Sequence, residues 1–418
     1  MSVINNIKAR EILDSRGNPT IEVDVIVEDE RYSASVPSGA STGIHEAQEL
    51  RDGGKRYLGL GVQKALHHLQ KNIAPLVCGL ECTKQEEIDR LMCQKDDTKN
   101  KSRLGANTIL GVSLAVARAG AAESNLFLYE YLHELLGIKK SPALPRPFFN
   151  VLNGGKHAGN HLRFQEFMIA PKTKTFAEAL QIGSEVYHHL QEIIITKYGK
   201  EAANVGDEGG FAPPLRSAET ALNLIQQAIK KAGYSKKVDL ALDCAASEFY
   251  KSKKNNGHYF LPQKMTKTQL LNYYLKLIKK YNLISIEDPF EQEDFVSFAQ
   301  LRQKSKIQIV GDDLTTTNVE RIKMAVKEKS CNCLLLKPNQ IGTLSETLAA
   351  VKLAYQNGWK VMVSHRSGET EDTFIADLAV GIACGQIKAG APCRGERTAK
   401  YNQLLRIEEA LKRNYLSK

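Results

Sequence analysis

A chain of 418 residues, 42% hydrophobic and 25% charged, is long enough to bury a large core with a smaller unit beside it, and its ordinary composition excludes a disordered, collagen-like or membrane-embedded protein. The formal charge of +10 reflects 57 Lys and Arg against 47 Asp and Glu, with twelve lysines against Asp239, Asp243 and Glu248 between Lys230 and Lys280. The opening MSVINNIKAR lacks the apolar core of a secretory signal, and eight cysteines without a CxxC pair fit a reducing compartment, the cytoplasm.

Ile21 to Val27 (IEVDVIV) alternates like a half-buried antiparallel strand, and a second strand, Arg31 to Val36, follows the acidic turn Glu28-Asp29-Glu30. Helical patterns come next, over Val62 to Ile73 and then from Thr83, where Glu86 completes a capping box. Leu104 to Ala122 approaches membrane-spanning length, but Asn107, Ser113 and Arg118 interrupt it, so it reads as a packed core helix. These elements predict an α+β domain over residues 1–136. GIKKSPALPRP, with three prolines, predicts a linker at 137–147.

From 148 to 418 short apolar runs (VDLAL, LISI, IQIV, CLLL, KVMV, QI) alternate with amphipathic helices, among them Thr343 to Asn357, opened by Thr343 with Glu346 and closed by Gly358. This βα rhythm predicts an α/β protein whose C-terminal part is a TIM-like β/α barrel.

The apolar runs end on Asp243, Glu287, Asp312, Lys337, Ser364-His365 and Lys388, each about one βα unit after the last. Alone, Lys337 after LLL would mark a strand reaching water. In a closed parallel barrel, however, all these ends share one face. Three carboxylates converging there repel unless a cation binds, and hard oxygen donors indicate Mg2+, with Asp243, Glu287 and Asp312 as ligands. Asp313 points away if its strand continues, whereas a loop there would blur that placement. Burial and the cations of Lys388, Arg366 and the metal are expected to lower the pKa of Lys337, giving a neutral amine that removes a proton α to a carboxylate while the metal stabilises an enediolate.

A second constellation lies in NVLNGGKHAGNHLRFQEFMI (150–169) and NVGDEGGFAP (204–213), where His157, Glu166, Asp207 and Glu208 can handle protons. Clustered acids raise one another's pKa, so one is expected to stay protonated. His157 and His161 have zinc-helix spacing, but Gly159 and Asn160 argue against a helix and no HExxH is present. Ser38 to Gly43 and Ser364 to Gly368 suit anion binding, and with the acids they describe a pocket for a phosphorylated carboxylate. Tyr250, Tyr259, Phe260, Tyr273 and Tyr274 interleave with the basic stretch at 230–280 as a nucleic-acid or lipid surface would; Leu270, Leu271, Tyr274 and Ile278 at helical spacing, without any nucleic-acid module, favour core packing instead.

Practically the whole chain, through DSRGNPTIEVDV, VPSGASTGIHEA, NKSRLGAN, GGKHAGN, VGDEGGFAP, SIEDPF, VGDDL, LKPNQIGT, SHRSGETED and QIKAGAPCRGER, resembles the enolase family. The resemblance implies a Mg2+-dependent lyase interconverting 2-phospho-D-glycerate and phosphoenolpyruvate, with Lys337 as base, Glu208 as acid, and Asp243, Glu287 and Asp312 on the first metal. It further implies Ser41 on a second Mg2+, with His157, Glu166, Arg366, Ser367 and Lys388 orienting substrate. Ser364 and His365 would complete that wall, and Glu287 and Asp312 would also face the substrate. A homodimer and an α+β cap over a barrel whose first strands are not all parallel follow as well. The sequence departs from the family pattern at Pro338 after the lysine, Lys156 beside His157, Gly395 in CRGER, and the basic hairpin around Lys251 to His258. The rival reading is a weakly catalytic paralogue binding a macromolecule through its basic surface or Lys418.

Overall fold

The structure, a computed structural model, describes residues 2–252 and 257–416, with side chains described to residue 412. Lys253 and Lys254 of the basic surface weighed above, and Lys418, lie outside them.

β1 (Ile4–Leu13), β2 (Pro19–Val27) and β3 (Glu30–Ser35) form an antiparallel meander. Only Ile4 and Ile7 of β1 are buried, so this strand carries no readable alternation. β2 is more deeply buried than a half-buried strand, since helix α4 packs on it; at Gly111 of α4 an added Cβ would come within 2.5 Å of Val23. Before α4 (Ala106–Glu123) come α1 (Gln63–His68), continued by a π turn into α2 (Ala74–Val77), and α3 (Gln85–Asp96); α5 (Leu128–Leu136) follows. α4 is the buried core helix its small residues foretold. The capping box expected at Thr83 and Glu86 does not form: α3 starts at Gln85 with no side-chain cap. Gln85 is instead drawn inward onto Asp89 and Ser113, a tertiary preference that overrides the local signal.

The barrel comprises β4 (Arg146–Asn153), β5 (Glu166–Pro171), β6 (Val238–Asp243), and, after a three-stranded hairpin sheet of β7 (Tyr250–Lys251), β8 (His258–Leu261) and β9 (Gln263–Met265), β10 (Leu283–Glu287), β11 (Gln308–Gly311), β12 (Cys333–Leu336), β13 (Lys360–Ser364) and β14 (Gly385–Lys388). Arg146 and Pro147, expected in the linker, already belong to β4, because they pair with Gln386 and Ile387. β5 alone runs antiparallel to its neighbours β4 and β6; the other pairs, β14 with β4 included, are parallel. Around them run α6 (Phe176–Tyr198), α7 (Ala218–Lys231), α8 (Lys267–Tyr281), α9 (Phe295–Ser305), α10 (Val319–Glu328), the single turn α11 (Pro338–Ile341), α12 (Leu344–Gln356), α13 (Phe374–Gly381) and α14 (Gly395–Leu416).

Side-chain parity places the site. Phe148, Met168, Ala170, Ala241, Val310, Cys333, Leu335 and Met362 fill the barrel interior. Because strand side chains alternate, residues two positions on share that inward direction: Asp243 after Ala241, Asp312 after Val310, Lys337 after Leu335, Ser364 after Met362. The reversed β5 contributes its first residue, Glu166, directly opposite Asp243. An apolar plug thus supports a layer of charge at one mouth of the barrel.

Candidate active site

Every charged strand-end residue read from the sequence converges at this mouth. Lys388 Nζ lies 2.9 Å from both carboxylate oxygens of Glu287, 3.1 Å from Glu166 Oε1 and 3.3 Å from Asp243 Oδ2. Lys337 Nζ lies 2.6 Å from Asp312 Oδ2, whose Oδ1 accepts from Gln340 Nε2 at 2.7 Å. All are buried. Pro338 does not disturb Lys337: the lysine is extended (φ −130°, ψ 106°) as the cap of α11, and Pro338 occupies the first helical position, where no backbone donor is needed. The Lys337 N–H finds Thr317 Oγ1 at 3.0 Å.

Opposite the lysines sits Glu208, on the turn whose Gly206 admits no side chain: an added Cβ would lie 2.2 Å from the His157 carbonyl. Asn150 Nδ2 donates to Glu208 Oε2 at 2.8 Å, while Oε1 stands 3.3 Å from His157 Nδ1 and 3.5 Å from His365 Nε2. His157 forms part of a short 3-10 turn, not a zinc helix.

The anion loops close the mouth. Ser367 Oγ accepts the Ala40 N–H at 2.7 Å, and Arg366 reaches Glu46 (2.8 Å), Asn339 (3.1 Å) and the Ser41 carbonyl (3.2 Å). Gly39 makes that approach possible, since a Cβ there would fall 1.8 Å from the guanidinium. Ser41 Oγ donates to Glu248 Oε1 at 2.7 Å, and Lys156 pairs with the same oxygen at 2.7 Å. Lys156 thus bonds away from His157, tying two loops together. Ser41, His157, Glu166, Glu208, Asp243, Asp312, Lys337, Ser364, His365, Arg366, Ser367 and Lys388 line one cavity. A larger cavity of about 700 Å³ opens at the other end of the barrel, but Arg146, Lys172 and Lys237 there are already paired with Asp239 or Glu178.

One expectation is corrected, and two that the sequence left open are decided. Burial, with Arg366 and Lys388, would lower the pKa of Lys337, but the surrounding carboxylates, Asp312 foremost and Glu287 with it, together outweigh them and the pKa is raised. Among the clustered acids it is Glu166 that is pushed up, by burial and by the Glu208 and Asp243 carboxylates, and Glu287, Asp288 and Asp313 rise for the same kind of reason; Glu208, which burial would raise, is held well below the usual range by His157 and Arg397. Asp313 does not point away: β11 ends at Gly311 and the chain turns, bringing the Asp313 carboxylate together with those of Asp288 and Asp312.

These side chains fit a hard divalent cation. They are oxygen donors from adjacent strand ends, more numerous than the two lysines can neutralise, and Glu166 Oε2 is buried without a hydrogen-bond partner among the described residues. The sequence reading gave no role to Asn150, Asp288, Arg397, Glu46, Gln340 or Glu248. Asn150 was findable by parity, two residues beyond inward-facing Phe148; the others act across the fold and leave no local signal. The basic stretch also resolves: Tyr259 and Tyr274 are fully buried, Tyr259 packing edge-to-face on Phe249 and Phe290 and Tyr274 edge-to-face on Phe290, so those aromatics are committed to the core, whereas Ile278 is only half-buried.

A family model described as enolase, N-terminal domain, matches residues 4–132, and one described as enolase, C-terminal TIM barrel domain, matches residues 141–416. The chain is 57% identical over 411 residues to a curated protein named enolase from Methanocaldococcus jannaschii, covering 98% of this chain and 95% of that relative.

Proposed function

The chain belongs to the enolase family, and from that premise we infer that its barrel mouth interconverts 2-phospho-D-glycerate with phosphoenolpyruvate and water, a Mg2+-dependent carbon–oxygen lyase reaction of glycolysis and gluconeogenesis. The observation that carries this reading is the buried convergence of Lys337 and Lys388 with Glu166, Asp243, Glu287 and Asp312, facing Glu208 across one cavity.

In this reading Lys337 takes the C2 proton and Glu208 delivers a proton to the departing C3 hydroxyl. The base must then be neutral and the acid protonated, the reverse of what the bare side chains hold. Turnover therefore requires the Asp312 charge to be engaged by something other than Lys337, leaving burial, Arg366 and Lys388 to push the lysine down; a substrate anion beside Glu208 pushes its carboxyl up. Asp243, Glu287 and Asp312 would hold Mg2+, with Ser41 serving a second ion. When bound, Mg2+ supplies positive charge that stabilises the enediolate. His157, Glu166, Arg366, Ser367 and Lys388 orient the substrate, and Ser364 and His365 form the wall beside them. We further propose a cytoplasmic homodimer, with residues 1–136 as the cap and 148–418 as the catalytic barrel; all eight cysteines are free, and no helix among the described residues is long and apolar enough to cross a membrane.

The test is direct. Purified protein with 2-phosphoglycerate should show the absorbance of phosphoenolpyruvate with Mg2+ and lose it with a chelator; a folded protein without turnover would overturn the reading.

A further inference from the structure

We propose that Arg397, from the CRGER stretch, is a positioning residue that fixes His365 as the Nε2–H tautomer, so that this imidazole can act only as a donor into the cavity. The inference rests on the active-site reading above, and it identifies what sets the state of the wall opposite the lysines.

Arg397 has 0% exposure, unusual for a residue carrying a permanent charge. One nitrogen, Nη1, lies 2.6 Å from His365 Nδ1 and also donates to the Arg366 carbonyl; Nη2 donates to the Asp207 carbonyl at 3.0 Å and the Ser367 carbonyl at 2.6 Å. A guanidinium has five donors and no acceptor. His365 Nδ1 must therefore accept, and its proton resides on Nε2. That nitrogen is buried, has no hydrogen-bond partner among the described residues, and stands 3.5 Å from Glu208 Oε1 at the cavity wall. It is a donor held ready for a substrate oxygen or for Glu208.

The backbone is arranged to admit this arginine. Gly390, at φ +86°, makes room for its stem, since an added Cβ would lie 2.9 Å from Arg397 Cδ; its neighbour Ala391 donates to the Glu208 carbonyl at 3.0 Å. One guanidinium thus ties the turn carrying Glu208 to the 365–367 wall. Burial, with the cations of Arg397, Lys388 and Lys337, outweighs the Glu208 charge and keeps the imidazole neutral, as the tautomer argument requires.

Long-range proton–nitrogen correlation spectra of protein labelled with 15N-histidine report the tautomer without reference to activity, with His365→Gln assigning the signal. The wild-type chain should show His365 protonated at Nε2 only. Arg397→Leu should release it to a mixture or to the Nδ1–H form and lower kcat/KM by about 10–100-fold, as removal of an orienting partner of a histidine does. Arg397→Lys, which keeps one donor, should retain the Nε2–H form and recover part of the rate. An imidazolium or Nδ1–H signal in the wild type overturns the inference even if Arg397→Leu fails to fold; an unchanged tautomer in Arg397→Leu removes Arg397 from it. Absence of turnover with the Nε2–H signal intact would count against the assigned reaction and leave this inference standing.

Discussion

Lys337 Nζ and Asp312 Oδ2 are 2.6 Å apart in a layer of charge closed off from solvent below by the apolar barrel plug. Removal of the amine should therefore act on chemistry more than on folding, because the abandoned carboxyl can take up a proton. Lys337→Ala is expected to lower turnover by roughly 10²–10⁴-fold, the usual worth of a general base, with circular dichroism unchanged. Retained turnover would remove Lys337 from the base role.

Asp312 is the other half of that pair and a candidate ligand. Asp312→Asn keeps the size and the acceptor for Gln340 but loses the charge. Calorimetric titration should show weaker Mg2+ binding, and the rate should fall in parallel; an unaltered Mg2+ dependence would exclude Asp312 from the ligand set.

Asp288, which local sequence reasoning passed over beside Glu287, holds Asp312 in place. Its two carboxylate oxygens accept the Asp312 N–H at 2.9 Å and the Asp313 N–H at 2.7 Å. Asp288→Ala strands two buried donors, each costing about 1–3 kcal/mol, so the melting temperature should drop and the Mg2+ requirement rise. Asp288→Asn, with one acceptor left, should fall between; equal behaviour of Asp288→Ala and wild type would show the clamp to be idle.

What could be read locally and what could not follow one physical division. The strand ends were legible because a period of two and a βα repeat place Asp243, Glu287, Asp312, Lys337 and Lys388 on one face whatever the helices do. Charge states were not legible. Lys337 was expected to be depressed by cations, but the nearest group is an anion; that one of the clustered acids is pushed up was legible, but not that it is Glu166 while Glu208, beside His157 and Arg397, stays low. Such outcomes depend on which side chains meet across residues far apart in the chain, as Arg397 and His365 do. Local signals failed in the same way at α3, where Gln85 is drawn to Asp89 and the Thr83 box is lost.

Pro338, directly after Lys337, does no harm to the geometry of the lysine, because it begins α11. Pro338→Ala should destabilise the chain by about 0.4–1 kcal/mol through the freer unfolded chain, leaving kcat within roughly twofold. Denaturant titration and steady-state kinetics on one preparation check both; a collapse of kcat would mean that the proline ring itself aligns the base.

Asp377, on α13 away from the barrel mouth, supplies a test of pH-dependent stability. Burial raises its pKa to about 6; Arg118 and Gln403 oppose the rise, and Asp372 adds to it. The sign follows from comparing folded and unfolded chains. Below about pH 4 both are protonated and nothing is lost; between about pH 4 and 6 the unfolded chain releases its proton while the folded chain retains it, so stability falls as pH rises. Above pH 6 the penalty is complete, on the order of 2–3 kcal/mol for a shift of this size. Asp377→Asn keeps an acceptor for Gln403 Nε2, now 3.1 Å from Asp377 Oδ2, and abolishes the ionisation. Urea unfolding of wild type and variant across pH 4 to 8 should give equal stabilities at the acid end and a growing advantage for Asp377→Asn that levels off above pH 6. A constant difference at every pH would mean that the Asp377 carboxyl titrates alike in both states and that its burial carries no electrostatic cost.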